Sequence, residues 1–130
     1  MKPTIFDVIN HRVLVLDGAM GPMIQRYKLA EGDYRGSQFA SHPSPLKGNN
    51  DVLCLTRPDI IEAIHAEYLE AGADIIETNT FNATSISQAD YNLEKEAYNI
   101  NFAAAKLAKQ IADKFTEKQP EKPRFVAGAI

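Results

Sequence analysis

The polar residues best placed for chemistry in this chain follow two apolar runs. Asp17 stands directly after Val13-Leu14-Val15-Leu16, and Glu77, Thr78, Asn79 and Thr80 follow Ile75-Ile76. A parallel sheet gathers the carboxyl ends of its strands on one side, where ligands bind. A carboxylate with hydroxyls and amides at those ends could hold a polar small molecule. Position alone leaves a second reading of Asp17 open, that of a turn or capping residue beside Gly18. Other chemistries have less support. Asp17-Gly18-Ala19-Met20-Gly21-Pro22 carries two of the three glycines of a dinucleotide fingerprint, and Pro22 lacks the N–H a phosphate would use. His11, His42 and His65 share no short ligand spacing with the single cysteine, Cys54. His65, one residue past Ile64, reads as a solvent-facing or boundary histidine. Cys54, among Val52, Leu53 and Leu55, reads as a buried thiol. No serine lies in a nucleophile-elbow pattern.

The elements that must position these groups follow from patterning. Residues 4–12 read as an opening helix, with Thr4 and Asp7 in capping-box spacing. Residues 13–16 read as a short strand buried on both faces. Met20, Met23, Ile24 and Tyr27 suggest a short helix. No period holds from 28 to 50, so a long loop is expected there. Residues 52–55 form a brief apolar stretch, read as extended. Thr56-Arg57-Pro58-Asp59 starts a helix, with Thr56 as the capping hydroxyl, and Gly72 ends it. Residues 74–77 read as a second strand, 83–91 as a short helix, 94–114 as a long helix and 124–130 as a third strand. Strands alternating with helices argue for an α/β fold with a parallel sheet.

Composition narrows the class. The chain has 130 residues, enough for one ordinary domain or a piece of a larger one. Its 45 % hydrophobic and 24 % charged content excludes wholesale disorder. Fourteen Lys and Arg against 17 Asp and Glu leave a net charge of −3, which gives no sign of a nucleic-acid partner. One cysteine excludes an internal disulfide framework and a multi-cysteine zinc site built from this chain alone. No apolar run approaches the roughly 20 residues of a membrane span. Asp7, Asn10, His11 and Arg12 interrupt any secretory apolar run, so a cytoplasmic protein is expected.

Several segments carry a more specific signal. Residues 13–21 (VLVLDGAMG), 46–51 (LKGNND) and 71–82 (AGADIIETNTFN) together resemble the homocysteine-binding domain of cobalamin-dependent methionine synthases, a branch of the homocysteine S-methyltransferase family. Residues 101–108 and the closing Val126-Ala127-Gly128 look like the same domain, so the resemblance runs over essentially the whole chain. The wider family shares the Asp-Gly turn and the Thr-x-Thr-Phe segment. The Lys-Gly-Asn-Asn-Asp loop points to the cobalamin-dependent branch rather than the betaine- or methylmethionine-using one.

The resemblance implies an eight-stranded β/α (TIM) barrel, with residues 1–130 as its N-terminal portion, holding about three strands. It implies methyl transfer from methylcobalamin to homocysteine to give methionine, with methyltetrahydrofolate recharging the cobalamin in a separate module. The partners implied are homocysteine, the remainder of the barrel, and the folate and cobalamin modules. The implied zinc is held by three cysteines from later strands, none of them present here, and would ionise the substrate thiol. The isolated chain is then expected to be inactive and to contribute no catalytic or metal-ligating residue. Asp17 matches the aspartate that holds the homocysteine amino group. Thr78 and Phe81 match the segment beside the amino-acid end, with Glu77 and Asn79 adjacent. Asn49, Asn50 and Asp51 match a loop over the barrel mouth, and simple turn chemistry is their other reading. An incomplete barrel is expected to leave Ile75, Ile76, Phe125 and Val126 uncovered. The alternatives are a cobalamin-independent homocysteine S-methyltransferase and a non-catalytic binding module.

Overall fold

The computed structural model describes residues 2–130. Its helices are α1 (Ile5–Ile9), α2 (Gly21–Gln25), α3 (Glu31–Arg35), α4 (Leu53–Thr56), α5 (Pro58–Ala71), α6 (Ser85–Gln88) and α7 (Ala97–Lys118). The strands are β1 (Ile75–Glu77) and β2 (Phe125–Ala127), paired in parallel with Ile76 opposite Val126. Short 3₁₀ turns cover Asn50–Val52, Ala89–Tyr91 and Glu94–Glu96.

The expected first strand, at residues 13–16, is reduced to one parallel bridge, Leu16 to Ile75. The Val15 carbonyl accepts from the N–H groups of Asp74 (2.8 Å) and Ile75 (3.1 Å), and the Asp17 N–H donates to Ile75 O at 2.9 Å. Nothing among the described residues covers this segment on its outer sides. Val13 is 85 % exposed and Val15 and Leu16 about half exposed, contrary to the reading of a strand buried on both faces. What pins it is Asp74, itself buried, which accepts from both terminal nitrogens of Arg12 (2.6 and 3.0 Å) and from the Val15 N–H (2.9 Å).

α5 begins with Pro58 at its first turn and ends at Gly72, whose φ of +112° is a left-handed conformation suited to glycine. Thr56 does not cap it. Arg57 occupies the N-cap position, and the Thr56 hydroxyl donates to Val52 O instead. α5 packs on α7, and Leu69, Ile76, Ala108, Ile111 and Ala112 form a buried cluster between the helices and β1. Strand alternation puts Ile76 against the helices, fully buried, with its partner Val126 partly covered on the same face, while Ile75 and Phe125 are partly covered on the other. Arg124 ties β2 to α5 by donating to Leu69 O (2.6 Å), which also takes the Gly72 N–H, and to Ala73 O (3.1 Å) just past the helix end.

The stretch from 28 to 50 is a packed structure rather than an open loop. It contains α3, where Asp33 accepts the Ala30 N–H at 2.9 Å. Glu31 receives the N–H groups of Leu46 and Lys47, and Arg35 donates to the carbonyls of His42 and Ser44. Phe39 and Leu46 are buried beneath. Residues 52–55 are helical, not extended, and lie in the larger buried cluster with Ile60, Ile61 and Ile64 of α5. A four-residue apolar run fits a buried helix as well as a strand. Among the described residues no helix is long and apolar enough to cross a membrane.

Candidate functional site

A cleft of about 460 Å³ opens where the 15–17 segment, β1 and β2 end. Its walls are the turn at 17–21, Asn50 and Asp51, the loop from Glu77 to Asn82, and Ala129. The size suits a small ligand. Of the residues singled out from sequence, Asp17, Glu77, Thr78, Asn79, Thr80, Phe81, Asn50 and Asp51 meet here. Asn49 does not; it is buried behind the cleft against Gln88.

Asp17 is half-buried. Its Oδ2 accepts the Glu77 N–H at 3.1 Å, while Oδ1 is shielded from water and has no partner. Burial pushes its carboxyl up to about 6. The bond from Glu77 N–H opposes that rise, and the neighbouring Glu77 charge adds to it. Among the described residues no basic side chain forms a salt bridge with Asp17, which leaves the carboxylate open to a cation from outside. The turn after Asp17 is held from below, where Tyr68 Oη donates to Ala19 O at 2.7 Å. A Cβ on Gly18 would come within 3.2 Å of that same oxygen, which is a reason for glycine there.

The hydroxyls of Thr78 and Thr80 close a ring with Ala129. Ala129 N–H donates to Thr78 Oγ1 (3.0 Å), Thr80 Oγ1 donates to Ala129 O (2.8 Å), and the two hydroxyls lie 2.7 Å apart. With Thr80's proton committed, Thr78 donates to Thr80. Thr78 then keeps one lone pair and offers a ligand only an acceptor. Asn79 is turned inward; its amide donates to Asn50 O (2.9 Å) and approaches Cys54 Sγ (3.6 Å), so it serves the scaffold. Phe81 is 87 % exposed at the rim. Asp51 is buried and accepts the Asn82 N–H at 2.9 Å. Asn82 and Ala129 line the cleft but escaped the sequence reading as site residues; Asn82 lies in the quoted Thr-Asn-Thr-Phe-Asn segment, whereas nothing local flags Ala129.

These residues do not fit a zinc ion. Among the described residues no three His, Cys, Asp or Glu side chains cluster for a metal. Burial pushes the Cys54 thiol up to about 12, the opposite of what a thiolate ligand requires.

Residues 14–130 match the family model for homocysteine S-methyltransferase. The chain belongs to the homocysteine S-methyltransferase family. Its fold is similar to that of the homocysteine methyltransferase MmuM from Escherichia coli, in an oxidized form (21 % identity, TM-score 0.71) and a metallated form (20 %, 0.69). Each likeness covers 93 % of this chain and 38 % of the solved one, so the chain spans little more than a third of these relatives.

Proposed function

We propose that this cleft holds the amino-acid end of homocysteine, in a protein that methylates the homocysteine sulfur to give methionine. The observation that carries the reading is Asp17, a carboxylate that lines the cleft at the end of a parallel segment with one oxygen, Oδ1, lacking a donor among the described residues. A substrate ammonium supplies the missing donor and the opposite charge, and the spare lone pair of Thr78 accepts a second N–H. Phe81 at the rim offers an apolar face to the substrate chain.

The finer reading is the cobalamin-dependent branch, supported by the LKGNND loop. Residues 1–130 then form the N-terminal portion of the barrel, with the zinc-binding cysteines, the cobalamin site and the folate module in other parts of the parent protein. The reading frame beyond Ile130 tests the branch. Cobalamin- and folate-binding modules are expected downstream; a barrel that ends without them overturns this assignment.

The site itself is tested by Asp17→Asn in the protein that carries the complete barrel. The change keeps the shape and removes the charge. Loss of a charge-assisted hydrogen bond of roughly 1.5–3 kcal/mol lowers kcat/KM for homocysteine about ten- to a hundredfold. Unchanged kinetics in a folded variant would leave Asp17 as a turn residue only.

A further inference from the structure

Gln88, on α6, is fully buried and does not line the cleft. Its amide faces that of Asn49, also buried, in a reciprocal pair: Asn49 Nδ2 donates to Gln88 Oε1 at 2.8 Å, and Gln88 Nε2 donates to Asn49 Oδ1 at 3.2 Å. The second Nε2 proton goes to the carbonyl of Asn82 at 3.0 Å. On the other side of the same residue, the Asn82 N–H is taken by Asp51 at 2.9 Å. The backbone of Asn82 is thus gripped at both its N–H and its carbonyl, immediately after Phe81. The Phe81 ring, almost wholly exposed, has little packing of its own to hold it.

We propose that Gln88 is a positioning residue for the cleft: with Asn49 and Asp51 it fixes the Phe81–Asn82 backbone and so sets where Phe81 and Asp51 stand toward the ligand. The inference rests on the homocysteine reading for the ligand's identity, not for the clamp. A buried amide pair in which each member donates to and accepts from the other specifies one geometry, and loss of one member leaves the other unsatisfied. Gln88 therefore acts through its neighbours, without touching substrate.

Hydrogen exchange followed by NMR on the full 130-residue chain tests this. In the wild type, the Gln88 side-chain amide protons and the Asn82 N–H should be protected, with a contact between the Gln88 and Asn49 amides. Their exchange at unprotected rates overturns the proposal without any variant. Gln88→Met keeps the bulk and removes both donors; Gln88→Glu keeps the shape and removes them as well. Each should raise exchange about tenfold or more at residues 81–83 and 49–51 while Leu69, Ile76 and Ile111 stay protected. Each should also weaken L-homocysteine binding about tenfold. A uniform rise across the core, or no rise at 81–83 in a folded variant, contradicts a positioning role. If the wild type binds no homocysteine while the local exchange effect is present, the homocysteine reading fails and the clamp stands.

Discussion

Asp17 carries two opposed demands. Burial raises its pKa to about 6, so the fold prefers the protonated acid. That contribution to stability is fully present below the unfolded value near 4 and is lost as pH rises through about 6. A docked ammonium reverses the preference and rewards the carboxylate. Asp17→Asn is therefore expected to raise the melting temperature at about pH 8 while weakening substrate use, a trade common at binding sites. His65 shows the opposite sign. It is fully buried with neither ring nitrogen bonded, and burial pushes its pKa down to about 4. The unfolded imidazole takes a proton near 6.5, so stability falls as pH drops from about 6.5 toward 4, by about 3 kcal/mol in full. His65→Leu should stabilise the protein by about 1–3 kcal/mol at neutral pH and flatten that acid dependence. Thermal melts across the range check it, and an equal pH slope in parent and variant would contradict it. The spacing held the clue to His65, four residues after Ile61 and four before Leu69, both fully buried. Reading it only as the neighbour of Ile64 hid that row.

Among the elements, α5, β1 and α7 were legible because their signals are local: Pro58 and Gly72 bracket α5, and long apolar stripes mark both helices. α3 and α4 were not, because what makes them is distant in sequence. Glu31 is satisfied by the backbone of Leu46 and Lys47, and α4 is set by burial against α5. Gln88 was invisible for the same reason, since Asn49 lies 39 residues away. The first apolar segment was misread as fully buried because its identity as a strand depends on neighbours on both sides, and only β1 is present. Its attachment rests heavily on Arg12 and Asp74. Burial alone would raise the Asp74 pKa, but the Arg12 guanidinium and the Val15 N–H outweigh it and hold it low. Arg12→Met leaves the buried Asp74 carboxylate without its cation and should lower the denaturant midpoint. Amide exchange at Val15 and Asp17 should rise first. A denaturant midpoint unchanged from the parent would show that the pairing with β1 suffices.

At the scale of the whole molecule, the chain assembles one side of a cleft from three segment ends that a parallel α/β arrangement brings together. The acid-lined turn, the Thr78–Thr80–Ala129 ring and the Asn–Gln mesh form a scaffold for the polar end of a ligand. Among the described residues no three His, Cys, Asp or Glu side chains cluster for a metal, and the proposal gives this part of the fold the task of holding the substrate's amino group. The resemblance in sequence located Asp17, Thr78 and Phe81, but only the fold shows that Thr78 can solely accept and that Asn79 faces inward. Titration of the isotope-labelled chain with L-homocysteine, read residue by residue by NMR, tests the central claim most directly. Saturable shifts are predicted at 17–21, 50–51 and 77–82 at about pH 7.5, fading by about pH 5 as Asp17 takes up its proton, and absent with the deaminated analogue, which keeps the thiol and carboxylate but offers no ammonium. An equal response to the deaminated analogue, or no response at these residues, would contradict the account.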